Sequence, residues 1–471
     1  MLDWRWRVTG ASIPRTKGAC NPGRQPNNYP CAEPDPRAEM AWSALCRRTH
    51  MKGRKMSSTS KLSVNKRPEE GASKFERRRE EIVQAAVAAL NEHGVRGMTF
   101  GHVAADLGVV PTTIGYYFRH KEDLAVACFL ETIRKMNQIA DRALQQDGAR
   151  ARLRAIIHEY FDFRRRIAEG EEDEAANFHD FRTTQDPTAN QAYVDFFKKV
   201  RTIFSSSDAE PLGRADRNAR THIVLSQIYW AVHWLPQYNP EDYPGMADRV
   251  SNLLEYGFAS EASVWNPPTI EGGTSWADDA DGVPNDAFLR VATQLINEEG
   301  YLGASVQRIS ARLGVTKGSF YHHNETKDDL VVRCFERTWQ IMRGIQGRVN
   351  AQAQNGFDNL VAFASHLVGG QVSGQQILLR TSALSAVPQD MRPKLLAGFD
   401  RSSSRISSVV SDGIADGSVR PIDALAAAQV IAGSINSASE LAYWVPGLTP
   451  QSALDLYLKP LFLGLFSPAA G

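Results

Sequence analysis

Two stretches of the sequence decide the fold class because they repeat one another. Residues 99–124 read TFGHVAADLGVVPTTIGYYFRHKEDL, and residues 305–330 read SVQRISARLGVTKGSFYHHNETKDDL. The same offset of 206 residues aligns 82–129 with 288–335 without a gap, and 15 of 48 positions are identical. The identities include glycines, which chance similarity between two helical segments is not expected to preserve. The sequence therefore predicts two copies of one folding unit.

Each copy opens with the hydrophobic spacing of an amphipathic helix. In the first copy Ile82, Ala86, Ala89 and Leu90 fall at i, i+4, i+7 and i+8. Gly94 is predicted to end this helix, because glycine readily takes positive φ at a helix C terminus.

Shorter helices are predicted to follow. Thr99 is a natural N-cap for a helix to about Leu107, and Gly108 allows the next turn. A third helix is expected at about Pro111–Tyr117, and a long helix begins at Lys121. The corresponding second-copy positions are Phe288, Ala292, Leu295, Ile296, Gly300, Ser305, Gly314, Lys317–His323 and Lys327.

Two short helices around a glycine-centred turn, braced by a preceding helix, are typical of a helix-turn-helix. The second short helix would enter the major groove of DNA and read base edges, while neighbouring helix N termini face phosphates. The candidate DNA-contacting residues of the first copy are Thr99, Thr112, Thr113, Tyr116, Tyr117 and Lys121. Those of the second copy are Ser305, Lys317, Ser319, Tyr321, His322, His323 and Lys327.

Both stretches resemble the tetracycline-repressor (TetR) family of bacterial transcription regulators. The resemblance is carried by Leu107-Gly108-Val109 with the run from Thr113 to Leu124, and by their second-copy counterparts through Leu330. The first copy departs from the family pattern with Gly115 where tyrosine is usual, and the second with Asn324 where phenylalanine is usual.

The resemblance implies an all-α fold of two tandem TetR-like units. Each would have an N-terminal three-helix DNA-binding domain followed by a helical regulatory and dimerisation domain. The predicted boundaries are 1–75 for a disordered basic tail, 76–125 and 126–265 for the two domains of the first unit, 266–283 for a linker, and 284–331 and 332–471 for the second unit.

The charge distribution excludes a globally basic DNA-binding protein. The formal net charge is +1, but residues 1–80 carry 18 Lys and Arg against 8 Asp and Glu. The remaining 36 basic and 45 acidic residues give the body a net charge of −9. Residues 1–50 are either a start-site artefact or part of a basic arm that strengthens DNA binding.

The resemblance implies a repressor whose partners are double-stranded DNA and an unknown small apolar effector. Family proteins normally bind DNA as homodimers. Two units on one chain therefore predict an intrachain pseudo-dimer on an asymmetric operator, and the rival is a homodimer of chains with four reading heads.

The effector pocket cannot be assigned to residues. The aromatic residues of the first unit are expected to be mostly core, with some lining a pocket, and the smaller residues of the second unit predict a reduced pocket. The helix pairs 217–235 with 244–258 and 422–444 with 450–466 are expected to form the dimerisation surface.

The sequence lacks the common catalytic motifs, cysteine or histidine spacing for a metal, and a membrane-spanning run. We therefore expect a cytoplasmic protein that is not an enzyme and that needs no cofactor or metal. The alternative is a scaffold or small-molecule-binding protein with degenerate helix-turn-helix units.

Overall fold

The computed structural model describes residues 73–178, 181, 184–205, 211–269, 286–314, 326–387 and 391–468. Nearly all of the predicted tail, and residues 270–283 of the predicted linker, lie outside the described residues. The last residues of the predicted tail, Lys74 and Phe75, already belong to the first helix.

The first unit is helical in its described parts. Its helices are α1 (Lys74–Gly97), α2 (Phe100–Leu107), α3 (Pro111–Tyr117), α4 (Lys121–Leu144), α5 (Ala149–Ala168), α6 (Pro187–Arg201), α7 (Arg214–Trp234) and α8 (Tyr243–Tyr256). Short 3-10 turns follow at Thr202–Ser205, Leu235–Gln237 and Pro240–Asp242.

The second unit is also helical in its described parts, and residues 315–325, which correspond to the α3 region, lie outside the described residues. Its helices are α9 (Asp286–Gly303), α10 (Val306–Leu313), α11 (Lys327–Gln352), α12 (Gly356–Val372), α13 (Arg392–Ala415), α14 (Ala424–Ser437), α15 (Leu441–Trp444), α16 (Pro450–Ala453) and α17 (Lys459–Leu463). Further 3-10 turns lie at Thr381–Ala386 and Ala438–Glu440, and a π-helical turn, Leu454–Leu458, joins α16 to α17.

The predicted all-α fold is confirmed. Within the described residues, β pairing is limited to one isolated bridge between Ala259 and Val419. None of the described helices is long and apolar enough to cross a membrane.

Local sequence signals explain where the first helices begin and end. Ser73 and Glu76 form a capping box at the start of α1. Gly94 takes φ of 68° as expected, but the helix resumes for one turn and ends at Gly97. Gly108 follows α2 with φ of 63°, which is the left-handed conformation that the predicted turn requires.

The two units contact each other through their last helices. Helix α7 packs against α14, α15 and the π-helical turn, and α8 also packs against α14. Buried polar groups are paired across this contact: Gln227 donates to the Ser434 hydroxyl at 3.0 Å, and the Trp230 indole donates to the Gln429 side-chain oxygen at 3.0 Å. Such pairs offset the cost of removing polar groups from water.

The two chain segments that follow α8 and α17 approach at backbone distance. The Phe258 amide donates to the Phe462 carbonyl at 2.8 Å, and the Leu465 amide donates to the Leu254 carbonyl at 2.8 Å. Gly257 has φ of 70°, and a Cβ added there would lie 2.3 Å from the Phe462 oxygen. Glycine is therefore required at this approach on both conformational and steric grounds.

Gly433 on α14 provides a test of the contact between the units. A Cβ at this position would lie 2.8 Å from the Trp230 ring, whereas a Cβ at Gly245 on α8 meets nothing within 4 Å. We expect Gly433→Ala to lower the free energy of unfolding by about 1–3 kcal/mol, because the ring is closely packed. Gly245→Ala is the matched control and should be neutral or stabilise by up to about 1 kcal/mol. Urea unfolding followed by circular dichroism measures both, and equal effects would contradict the packing.

Candidate nucleic-acid interface

Helices α1 to α3 form a small domain, the first head, around a shared apolar core. Ile114 of α3 is fully buried, and Phe118, which ends α3, is also buried. The Arg79 guanidinium lies 4.8 Å from the centroid of the Phe118 ring. This packing fixes α3 on the head and leaves its opposite side to solvent.

The exposed side of α3 carries the predicted base-reading residues. Tyr116 is 75% exposed, Thr112 is exposed, and Thr113 is partly exposed. Tyr117 is half-buried, and its ring stacks on Phe75 of α1 with centroids 4.8 Å apart. The structure therefore brings Thr112, Thr113 and Tyr116 to one open surface, while Tyr117 packs α3 against α1.

The two candidate phosphate-contacting residues already have internal partners. The Thr99 hydroxyl accepts from the His102 amide at 3.3 Å and caps α2. The Lys121 ammonium donates to the Arg96 carbonyl at the end of α1. Both side chains therefore tie neighbouring helix ends together within the first head.

The second head is described only in part. Ser305 caps α10, because its hydroxyl accepts from the Arg308 amide at 3.3 Å. Helix α11 begins at Lys327 as predicted, but the side chain of that lysine lies outside the described residues. The remaining candidates also lie outside them: Lys317, Ser319, Tyr321, His322 and His323.

Each unit also contains a group of side-chain to backbone hydrogen bonds that the sequence analysis did not predict. In the first unit Asn91 donates to the Ala175 carbonyl at 2.9 Å and accepts from the Asn177 amide at 2.8 Å. Thr132 of α4 accepts from the Ala176 amide between them at 2.9 Å. We call this arrangement the first latch, since it ties the segment 175–177 to the first head and to α4.

The second unit has the same latch. Asn297 donates to the Leu378 carbonyl at 2.8 Å and accepts from the Arg380 amide at 3.1 Å, and Thr338 accepts from the Leu379 amide at 2.9 Å. Asn91 and Asn297, like Thr132 and Thr338, are identical residues at the 206-residue offset. Identical polar residues within the repeat were the signal that could have identified the latch.

A pocket lies in the second unit between α11, α13, α14 and the second latch. It is lined mainly by apolar side chains, and the space of about 480 Å³ that it contains includes open solvent at its mouth. Trp230 of the first unit also forms part of its wall. Small residues such as Ser402 and Ala432 line this pocket, and the expectation of a reduced second pocket stays a prediction.

The aromatic residues of the first unit are mainly core. Almost complete burial is found for Phe161, Phe196, Phe197 and Phe204, as expected for core residues. Within the described residues no group of three or more His, Cys, Asp or Glu side chains is arranged to hold a metal ion.

Comparisons with known proteins agree with the two heads. The family model for bacterial regulatory proteins of the tetR family matches residues 82–128 and 288–334. The HTH-type transcriptional regulator BetI of Yersinia pestis (strain Pestoides F) is 35% identical over 88 residues, which are 18% of this chain and 44% of BetI. BetI of Escherichia coli O17:K52:H18 is 34% identical over 88 residues, or 18% of this chain and 45% of BetI. The chain thus spans less than half the length of these curated relatives.

Two solved structures are more distant. AibR in complex with isovaleryl coenzyme A and operator DNA is 22% identical, with a TM-score of 0.33, over 38% of this chain and 97% of AibR. PfmR from Thermus thermophilus is 18% identical, with a TM-score of 0.33, over 38% of this chain and 99% of PfmR. Neither is close enough to bear on the ligand or the DNA of this chain.

The described residues form an all-α protein, and its first head has the helix order of a helix-turn-helix. The two family matches fall on α1–α4 and on the corresponding second-unit segment. Two segments of the chain, residues 82–128 and 288–334, are thus similar to the tetR family of bacterial regulatory proteins.

Two glycines of the first head differ only in backbone conformation, which gives a matched test of the helix-turn-helix. A Cβ at either Gly108 or Gly115 meets nothing within 4 Å, but Gly108 has φ of 63° and Gly115 lies within α3. Gly108→Ala should destabilise the head by about 1–2 kcal/mol, the cost of a left-handed residue with a Cβ. Gly115→Ala should stabilise it by about 1 kcal/mol through helix propensity. Hydrogen exchange of α2 and α3 measures both, and effects of the same sign would contradict this turn.

Proposed function

We propose that this protein is a transcriptional regulator that binds specific DNA sequences. The observation that carries the proposal is the twofold family match, combined with the open surface of α3 where Tyr116 is 75% exposed. A large exposed side chain on a short helix that protrudes from a packed core suits contact with base edges in a major groove.

In this proposal each head uses the residues that the sequence predicts. Thr112, Thr113 and Tyr116 contact bases in the first head, and Tyr117 supports them. Thr99 and Lys121 position the neighbouring helix ends near phosphates. The second-head residues proposed for the same roles are Ser305, Lys317, Ser319, Tyr321, His322, His323 and Lys327.

The chain is further proposed to act as a single-chain pseudo-dimer. The buried contact between α7 and α14 supports this, because its polar pairs are not reciprocal. An offset of 210 residues aligns Trp234 with Trp444, and at this offset the first-unit residue equivalent to Ser434 is Val224. Valine has no hydroxyl, so the Gln227–Ser434 hydrogen bond has no equivalent with the roles of the two units exchanged. A homodimer interface is built from reciprocal pairs. This contact instead suits two unlike halves of one chain.

Regulation is proposed to be repression that responds to a small apolar molecule. The pocket beside the second latch supports this part of the proposal, since α11, which directly follows the second head, provides Thr338 and Met342 to its wall. An effector would act by favouring one arrangement of the heads over another.

The alternative is a small-molecule-binding or scaffold protein whose heads no longer bind DNA. It is favoured by the charge of the first head, since residues 81–130 contain 3 basic and 5 acidic residues. It is also favoured by Gly115, which leaves an open surface in the middle of α3. DNA selection from a random pool separates the two functions, because only the regulator enriches a sequence.

Tyr116 provides the direct test of DNA reading. With DNA enriched in that selection, Tyr116→Ala should weaken binding by about 1–3 kcal/mol, as expected for loss of a base contact. Tyr443→Ala is the matched control, since this tyrosine is also about half exposed (49%) and lies on α15, which packs against α7. Fluorescence anisotropy of labelled DNA measures both variants. Equal losses in the two variants would argue against α3 as the reading helix.

The pseudo-dimer predicts both a mass and a symmetry. Light scattering of the DNA-free protein should give the mass of one chain, 52.1 kDa. The selected DNA should contain two different half-sites, because the sequences PTTIGY and KGSFYH cannot read the same bases. A two-chain mass together with a perfect palindrome would instead support the homodimer with four heads.

A further inference from the structure

The first helix of each head is interrupted at a glycine. Gly94 in α1 has φ of 68°, and Gly300 in α9 has φ of 71°. Carbonyls in the last turn before such an interruption lose their helical amide partners, and they lie at the negative end of the helix dipole. A cation beside either interruption is therefore stabilising.

Two arginines of the second unit donate to carbonyls at these interruptions, one in each head. Arg380 donates to the Asn297 carbonyl of the second head. Arg392 donates to the Glu92 carbonyl of the first head at 3.1 Å. Asn297 and Glu92 each lie within three residues of the glycine that interrupts their helix. One segment of the second unit thus caps the first helix of both heads.

This segment is itself attached to the second unit. Arg380 is paired with Glu440, and the Arg392 guanidinium also donates to the Val387 carbonyl at 2.9 Å. Between the two arginines, the turn Thr381–Ala386 packs against both α1 and α9. We call Arg380, this turn and Arg392 the brace, since together they contact both heads.

The heads also contact each other directly, through equivalent ends of their first helices. A Cβ added at Gly303 of α9 would lie 2.9 Å from the central carbon of the Arg96 guanidinium of α1. Gly303 is the repeat equivalent of Gly97, which directly follows Arg96. Contact between equivalent positions places the pseudo-twofold axis of the two heads beside this contact.

This contact leaves the reading surface of the first head open. Phe75, near the start of α1, stacks on Tyr117 of α3, whereas Glu92 and Arg96 near the end of α1 face the second unit. Phe75 precedes Glu92 by 17 residues. That separation is about 26 Å of helix. Tyr116 on α3 is accordingly 75% exposed, so the contact between the heads does not cover the residues proposed to read DNA.

The first unit has neither arginine at the corresponding positions. Asn177 occupies in the first latch the place that Arg380 has in the second. Asp186 precedes the first proline of α6, as Arg392 precedes that of α13, and its carboxylate caps α6. A homodimer repeats each contact on both sides of its axis, whereas a tandem chain can keep a contact on one side.

We propose that the brace holds the two heads as one rigid body and so fixes the distance between the two DNA half-sites. Arg392 is the positioning residue, since its planar guanidinium donates to one carbonyl in each unit. The inference rests on the proposed function, because the distance between the heads selects DNA only if both heads bind it. Any other arrangement of the heads, including one that an effector would favour, requires release of the brace.

The distance between the heads tests the brace without DNA. Ala105 of α2 and Ala311 of α10 are exposed repeat equivalents, and cysteines introduced there can carry spin labels. The tail cysteines are replaced by serine in the full chain, while Cys128 and Cys334 are buried and stay unlabelled. Double electron–electron resonance should give one narrow distance in this chain. Arg392→Ala should lose that narrow distance and give a broad distribution.

Two further variants are matched to Arg392→Ala. Arg392→Lys keeps the charge but loses the planar fork that reaches two carbonyls, so it should also broaden the distribution. Lys394 lies on the same helix, its side chain is 71% exposed, and it pairs with Glu336 at 3.7 Å. Lys394→Ala should therefore keep the narrow distance. A broad distribution in the starting chain, or a narrow one in Arg392→Ala, would overturn the inference.

DNA of altered spacing tests the consequence for binding. One base pair is inserted between the half-sites of the selected DNA, which moves them about 3.4 Å further apart. The natural chain should bind this DNA at least about tenfold more weakly, because both heads can no longer engage at once. Arg392→Ala should lose less than about threefold, because its heads can adjust.

The two measurements separate the brace from the proposed function. Equal losses for the natural chain and Arg392→Ala on the lengthened DNA would overturn the spacing role of the brace. Failure to select any DNA sequence would instead contradict the proposed function, and the distances measured without DNA would still decide whether the brace holds the heads together.

Discussion

The close contact between α7 and α14 is the constraint on which the rest of the structure depends. Small residues on α14 let α7 approach, since the position of Gly433 leaves no room for a Cβ beside Trp230. The same indole donates to Gln429 and forms part of the wall of the pocket beside the second latch. One side chain thus connects the packing of the two units with the site that we propose for regulation.

Both units have the latch, but they differ in the residue that follows it. Both keep the asparagine and threonine of the latch, with similar hydrogen-bond lengths, so the path from the head to the body is the same in each. The residue that follows is Phe178 in one unit and Thr381 in the other. A threonine fills less volume than a phenylalanine ring at this position, and the second unit has a pocket beside its latch.

The sequence predicts those features that depend on local patterns. Gly108 and Thr99 fix the turn and the helix of the first head within about a residue, because left-handed backbone and caps have strong residue preferences. The internal repeat predicts the order of helices in both units. The partners of Asn297 and the wall formed by Trp230 could not be predicted, because those contacts join residues more than 80 positions apart. The position of the pocket could not be predicted for the same reason, since it depends on volumes summed over several helices.

Electrostatics further constrains how such a protein could use DNA. For each phosphate contact, the logarithm of the DNA-binding constant falls by roughly 0.9 when the salt concentration rises tenfold. The first head has more acidic than basic residues over 81–130, and Lys121 already donates to a backbone carbonyl. If this head binds DNA as we propose, few phosphate contacts are available to it, and a larger share of the binding free energy must come from side chains on α3. Such binding would be weak on random DNA and would depend strongly on the relative position of the two heads.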